Sequence, residues 1–286
     1  SSAGLLVQQM LNMLEAFPLR ELGHNSAETL HLMIEVMKLS YADRATHLGD
    51  PDFWDIPPGL ESKAYADERR KLIDPTRTRS AKEIAPGVPA QFAESSQTTH
   101  YSVVDRWGNA VSNTYTLLSS FGSGVVAGDT GILLNNNMAN LDAKPGAHNH
   151  FGLVGSQANS MVPGKRPLSS MTPTVVLRDG WPWLVTGSPG GPRILTTVLQ
   201  VLLNVIDHGM NIAEASNALR VHHQLVPDEV WVESGFNRDT RRRLEAMGHR
   251  LVENNAMGST QSILIEDGLL HGASDPRRSS ALSAGF

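Results

Sequence analysis

At Thr98 the sequence changes its period. Up to Gln97 the pattern is helical and charge-rich, running out through the polar stretch Glu94-Ser95-Ser96-Gln97. Beyond it the chain is rich in short strands and glycines. Tyr101 and Val103 alternate with polar neighbours over 99–106, the period of a strand, and Trp107-Gly108-Asn109 turns the chain into a second strand over 110–117. A hydroxyl residue therefore opens a strand directly behind a polar linker. If the Gln97–Thr98 bond were cut, Thr98 would hold a nucleophilic hydroxyl and its own base, an α-amine of pKa roughly 7.7–8.0. An ordinary edge strand that begins with two threonines is the plainer reading of the same residues.

The first part of the chain reads as helices. Leu6, Met10, Met13, Leu14 and Phe17 share one face of a run over 5–17 that Pro18 ends. Asn25 with Glu28 has the spacing of a capping box, starting a helix striped by Leu30, Met33, Ile34, Met37 and Tyr41. Gly49-Asp50-Pro51-Asp52 is turn chemistry without EF-hand spacing, so no metal is expected there. A further helix is expected over 62–75 and a linker over 76–97.

After the first hairpin, Ile132-Leu133-Leu134 reads as a short buried strand, and 142–166, aperiodic and rich in Gly, Pro, Asn and His, as a lid or binding loop. His148 and His150 lack a third ligand in a fitting pattern and read as polar loop residues. Strands over 173–178 and 181–187 flank Asp179-Gly180, a hairpin signal repeated by Asp267-Gly268 between 261–266 and 269–273. Gly187-Ser188-Pro189-Gly190-Gly191-Pro192 then leads into a helix over 193–207. Strand, glycine loop and helix N-terminus together present backbone N–H groups to an anion; the spacing is neither Walker A nor a dinucleotide fingerprint, so an oxyanion fits as well as a phosphate. Asn211 with Glu214 caps another helix, and 237–247 forms one more before Gly248. Arg220 and Arg277 read as structural ion pairs, with substrate clamps as the alternative.

Composition removes several classes of function. A net charge of −5 over 286 residues, without a basic stripe, argues against nucleic acid, and Arg241-Arg242-Arg243 reads as a solvated helix face. With no cysteine there is no disulfide, thiolate chemistry or Cys-based zinc site, which suits the cytosol and the periplasm equally. The richest apolar run, Val198 to Ile206, is broken by Gln200 and Asn204, so no membrane span is expected. The chain opens Ser-Ser-Ala with no signal-peptide pattern and reads as the edge of a larger sequence.

Four blocks stand in order: Gln97-Thr98-Thr99-His100-Tyr101, Lys165-Arg166-Pro167-Leu168-Ser169-Ser170-Met171, Gly187-Ser188-Pro189-Gly190-Gly191 and Gly272-Ala273-Ser274-Asp275-Pro276-Arg277. Together they resemble the γ-glutamyltranspeptidases of the N-terminal-nucleophile hydrolase superfamily. The resemblance implies an α+β fold, an αββα sandwich of two antiparallel sheets between helical layers. It implies a precursor that cuts itself between Gln97 and Thr98, with 1–97 the final part of a large subunit and 98–286 the small catalytic subunit. Transferred residue by residue, Thr98 is the nucleophile, Thr116 orients it, Gly190 and Gly191 form the oxyanion hole, and Ser169 and Ser170 hold a substrate α-carboxylate. The arginine that pairs with that carboxylate belongs to a region not in this sequence. No cofactor or metal is implied. The implied substrates are γ-glutamyl amides such as glutathione, with water or an amino-acid or peptide amine as acceptor, and the implied location is periplasmic or secreted.

The departures from the family pattern fall on the substrate α-amino side. Asn140 stands where an aspartate is usual, Asn137 where glutamine or glutamate is common, Leu118 where Asn or Glu is common, and Phe151 at the lid position that is Tyr in some bacterial members. Each removes charge or polarity, which favours acyl groups lacking the amine. A glutaryl-type amide acylase, cephalosporin-like in substrate, is the alternative activity. A non-catalytic fragment or assembly subunit is the alternative from another class.

Overall fold

The computed structural model describes residues 2–84, 98–144, 146–148, 152–153 and 155–285. In chain order these form α1 (Ser2–Leu14), α2 (Leu19–Leu22), α3 (Ala27–His47), α4 (Lys63–Arg70), β1 (Thr99–Val104), β2 (Ala110–Tyr115), β3 (Thr174–Arg178) and β4 (Trp181–Thr186). Then follow α5 (Arg193–Ile206), α6 (Ile212–Asn217), β5 (Val221–His222), β6 (Val230–Glu233), α7 (Arg238–Ala246), β7 (Leu251–Asn254), β8 (Gln261–Glu266) and β9 (Leu269–Ser274). The chain divides into two compact units, one of Ser1–Ser95, Asn137–Ser169 and Val221–Asn255, the other of Ser96–Asn136, Ser170–Arg220 and Ala256–Phe286.

The first unit is built on α3. Its expected stripe of Leu30, Met33, Ile34, Met37 and Tyr41 is buried, but so is its polar side, and every residue from Thr29 to Arg44 is inaccessible. Buried charge must find partners. Asp43 accepts from Gln9 Nε2 at 2.8 Å and pairs with Arg69 at 3.0 Å, while Lys38 pairs with Glu35 at 3.1 Å. Ser26, not Asn25, caps α3, its hydroxyl accepting from Thr29 N at 3.0 Å. Asn25 instead takes a left-handed φ of 51°, a conformation Asn tolerates, and turns the chain into the cap. α1 stops at Leu14, so Phe17 lies in the following turn, and the helix expected over 62–75 is confined to Lys63–Arg70.

The sheet β5-β6-β7 of this unit was not legible in the sequence. β5 and β6 are antiparallel, but β6 and β7 run parallel, which requires a crossover, and α7 supplies it. The charged outer side of α7 behaves as expected of a solvated face: Arg241 pairs with Glu253 at 2.9 Å and Arg243 with Glu28. The Asp50 turn is a clamp on the loop that follows residue 142. Asp50 accepts from Arg166 N at 2.8 Å and pairs with the Arg166 guanidinium at 2.5 Å, and Asp52 pairs with the same guanidinium at 2.5 Å. Asp142 gathers the same loop by accepting from Ser156 N at 2.9 Å and Asn159 Nδ2 at 3.0 Å.

The second unit contains the antiparallel sheet β3-β4-β8-β9 and the hairpin β1-β2. Both Asp-Gly turns have paired positive φ values, 53° and 84° at Asp179-Gly180 and 51° and 76° at Asp267-Gly268, as a hairpin's twist demands. The hairpin presents its polar side to the sheet. Ser102 Oγ donates to Gln261 O at 2.8 Å, and Ser112 Oγ donates to Thr186 O at 2.9 Å while accepting from Thr174 N at 3.0 Å. Tyr101, Val103, Val111 and Tyr115 consequently face outward and are exposed, the reverse of the usual assignment for an apolar alternation. α5 is buried from Arg193 to Val205, and α6 has the expected box between Asn211 and Glu214. Ile132-Leu133-Leu134 does not form a strand: Leu133 makes an isolated bridge to Val126, and Ile132 and Leu134 are exposed. No described helix is long and apolar enough to cross a membrane.

Candidate active site

Thr98 stands immediately before β1, half-buried, where the hairpin register pairs Thr99 with Tyr115. The pairing brings the residue after Tyr115 to it: Thr98 Oγ1 donates to Thr116 Oγ1 at 3.3 Å, and Thr116 Oγ1 accepts from Leu118 N at 2.8 Å. Leu118 is fully packed and takes a φ of 77°, strained for a side chain of its size. Asn136 ties the next block to this turn, its N–H donating to Leu117 O at 3.0 Å and its Oδ1 accepting from Ser119 N at 3.1 Å.

The glycine loop begins where β4 ends. Gly187 O accepts from Gln261 N at 3.3 Å, and a Cβ on Gly187 would lie 2.3 Å from the His100 ring, two residues on from Thr98. Gly190 and Gly191 adopt φ values of 136° and 56°, which side chains rarely take. Their carbonyls accept from Arg193 N and Ile194 N, both at 3.1 Å, in the first turn of α5. The helix N-terminus adds a partial positive charge to that end. Beneath the loop lies Ser188, wholly buried, donating to Pro189 O at 2.7 Å and accepting from Ser259 N at 2.9 Å. Gly258 seals this contact, since a Cβ there would meet Ser188 Oγ at 2.6 Å.

His100 is the ionisable ring nearest Thr98 in sequence, and its environment makes it a strut. Ser102 donates its proton to Gln261 O at 2.8 Å, so it accepts from His100 Nε2 at 3.1 Å; Nδ1 in turn accepts from Thr114 Oγ1 at 2.7 Å. Burial pushes the His100 pKa down from 6.5 to about 4, leaving the ring neutral at physiological pH. The unfolded chain takes up a proton below 6.5 that the folded one refuses. The stability this contributes is whole above 6.5 and is lost as the pH falls towards about 4, on the order of 3 kcal/mol at the acid limit. Denaturant unfolding measured across that window is expected to give a falling midpoint, and His100→Gln is expected to flatten the fall. An unchanged slope in that variant would assign the acid sensitivity elsewhere.

The other sequence-derived positions divide between the units. Ser170 belongs with Thr98, whereas Ser169, Asn137 and Asn140 belong to the first unit, so both blocks straddle points where the chain passes from one unit to the other. Asn140 is half-buried at the end of a short 3₁₀ turn, Asn137–Asn140, with its carbonyl accepting from Asn159 Nδ2 at 2.7 Å. Gln97 and Phe151 lie outside the described residues. One contact escaped the sequence reading: Arg278 Nη2 donates to Thr98 O at 3.0 Å. Its signal is adjacency to Asp275-Pro276-Arg277, where Asp275 O accepts from Arg278 N at 3.3 Å. Arg220 and Arg277 are structural, both pairing with the buried Asp275, at 2.6 and 3.1 Å.

The mixed helices and antiparallel sheets, with a threonine opening one strand and paired to a second hydroxyl, fit the class that the solved relatives define: this is the N-terminal-nucleophile hydrolase fold. Within that class the chain belongs to the gamma-glutamyltranspeptidase family, whose model matches residues 1–285. It is 54% identical to the glutathione hydrolase proenzyme of Escherichia coli over 288 residues, 100% of this chain and 50% of that protein. A crystal structure of an acivicin-inhibited gamma-glutamyltranspeptidase superposes with a TM-score of 0.62 at 50% identity, over 63% of this chain and 98% of that one. The cephalosporin acylase of Bacillus halodurans superposes with a TM-score of 0.79 at 28% identity, over 96% of this chain and 48% of that one. The chain thus spans about half the length of the curated relatives it matches.

Proposed function

We propose that this chain carries the nucleophile of a self-processing γ-glutamyl transferase and hydrolase. The observation that carries the reading is the Thr98–Thr116 hydroxyl pair at the head of β1. In the precursor, Thr98 Oγ attacks the Gln97 carbonyl, the acyl group moves from nitrogen to oxygen, and water hydrolyses the ester. The amine so released serves as base, taking the proton as Thr98 Oγ attacks the γ-carbonyl of a substrate amide such as glutathione. The Gly190 and Gly191 amides receive the tetrahedral oxygen, an interaction worth about 3–4 kcal/mol per donor in other enzymes. Collapse expels the amine leaving group, and water or an amino-acid or peptide amine resolves the threonyl ester. Residues 1–97 and 98–286 are then the end of the large subunit and the small subunit, with Ser169 and Ser170 on the substrate carboxylate. N-terminal sequencing tests the first step: a fragment beginning Thr98-Thr99-His100 is expected, and only intact chain would refute it.

A second substrate class, glutaryl amides, is favoured by two side chains. Leu118 offers only a packed apolar group, and Asn140 an amide where a carboxylate would hold an ammonium. Losing one charge-assisted hydrogen bond weakens binding by roughly ten- to hundredfold. Hydrolysis of γ-glutamyl and glutaryl anilides by the processed protein is therefore expected to show comparable kcat/KM. A hundredfold preference for the γ-glutamyl compound would remove this second reading, and Asn140→Asp is expected to restore such a preference through KM.

A further inference from the structure

Within the first unit, one buried side chain joins two segments to which the proposed function gives the two polar groups of one substrate carbon. Asn159 is 2% exposed. Its Nδ2 donates to Asn140 O at 2.7 Å and to Asp142 Oδ2 at 3.0 Å, and its Oδ1 accepts from Leu168 N at 3.1 Å. The amide has one workable orientation. A carbonyl can only accept and a backbone N–H can only donate, so a flipped amide would lose both the Asn140 and the Leu168 bonds. Asn140 is the residue read as facing the substrate α-ammonium. Leu168 directly precedes Ser169, read as holding the α-carboxylate. Those two groups sit on the same carbon of a γ-glutamyl donor, so the segments that receive them need a fixed spacing.

Asn159 can act as a brace because its own backbone is fixed. Asn159 O accepts from Asp142 N at 2.9 Å, Asp142 O accepts from Met161 N at 3.1 Å, and Asn159 N donates to Ser156 Oγ at 3.3 Å. Gly49 packs against the preceding residue so closely that a Cβ there would lie 2.2 Å from Ala158 O. The Leu168 segment is held separately by Asp50, which accepts from Arg166 N at 2.8 Å. The side chain then closes the span between these anchors. It must supply two donors and an acceptor from one short group, which an amide does. A carboxylate of the same shape would set an oxygen against Asn140 O and Asp142 Oδ2.

We propose that Asn159 is a positioning residue for the acyl donor, acting through Asn140 and Leu168 to set the distance between the α-amino and α-carboxylate contacts. The inference rests on the proposed roles of Asn140 and Ser169. Two substrate ratios, each of kcat/KM values on the processed protein, test it. Glutaryl over butyryl anilide reads the carboxylate contact. γ-Glutamyl over glutaryl anilide, compared between Asn140→Asp and Asn140→Asp/Asn159→Ala, reads the amino contact. A misplacement of about 1 Å can cost on the order of hundredfold, so loss of the Asn159 side chain is expected to lower each ratio by roughly tenfold or more, through KM. A protein that is merely less stable has fewer active molecules, which scales every substrate alike and leaves both ratios unchanged. If the alanine variant does not fold, Asn159→Ser, whose hydroxyl keeps one partner and leaves room for a water, is read in the same way. Hydrogen exchange at the Leu168 amide is expected to quicken in either variant. Unchanged ratios, with or without faster exchange at Leu168, would reduce Asn159 to a loop support and overturn the proposal. Failure of the underlying reading looks different: the parent would not distinguish glutaryl from butyryl anilide, and Asn140→Asp would create no γ-glutamyl preference. The fault would then lie in the roles of Ser169 and Asn140, and the proposal would fall with them.

Discussion

Thr98→Ala is expected to leave a single uncleaved polypeptide with no measurable turnover of γ-glutamyl or glutaryl anilides. The substitution removes a hydroxyl and a methyl at a half-buried position whose side chain makes one 3.3 Å hydrogen bond among the described residues, so the fold has little to lose. Its stability is expected to remain within about 0.5 kcal/mol of the parent, as for changes away from a packed core. The proposed chemistry loses both of its uses of that oxygen. Removing the nucleophile of a hydrolase that works through an acyl-enzyme costs on the order of 10⁶ in kcat. Thr98→Ser keeps the oxygen and is expected to process and turn over at reduced rate, because the lost methyl frees the rotamer that β-branching restricts. Denaturing electrophoresis and anilide hydrolysis read out both variants. Two subunits appearing in the alanine variant would sink the account, since no other group near the bond has been given the task.

The contacts that keep Thr98 in place show what a linear sequence conveys and what it conceals. The β1-β2 hairpin, the two Asp-Gly turns, the glycine loop and α5 were all legible, because each is specified by residues within a turn of one another. The short sheet β5-β6-β7 was not. Its strands are two to four residues long, and one pairing is parallel, so no local period distinguishes them from loop. The burial of the polar side of α3 was not legible either; its charges find partners in Thr78 and Asp228, which arrive from elsewhere in the chain. At the site, Thr98, Thr116, Gly190 and Gly191 came from motifs, whereas Gly258 under Ser188 and Arg278 on the Thr98 carbonyl did not. Those contacts bridge distant parts of the sequence, and only the folded chain reveals them.

The largest loss of stability is expected from Arg220→Ala. Arg220 is almost completely buried and donates to Asp275 Oδ2 at 2.6 Å, Ser216 O at 2.7 Å and Met257 O at 2.7 Å. Asp275 also accepts from Thr260 N and Arg277 N, both at 3.0 Å. Burial alone would raise the Asp275 pKa, but Arg220, the Arg277 and Thr260 amides and the Arg277 charge outweigh it, and the carboxyl lies below its usual value. Such a pair is weak evidence of net stabilisation, yet breaking it on one side leaves a buried charge, at a cost of about 3–5 kcal/mol. Arg220→Ala and Asp275→Ala are each expected to lose that much in denaturant unfolding. The double variant should lose less than their sum by at least about 1 kcal/mol, as residues in one network do. The consequence reaches the site through the backbone, because Arg278, hydrogen-bonded to Asp275 O, donates to Thr98 O. Self-cleavage is therefore expected to slow in Arg220→Ala under conditions where the variant remains folded. Additive losses with normal cleavage would mean that this ion pair neither holds the fold nor steadies the threonine.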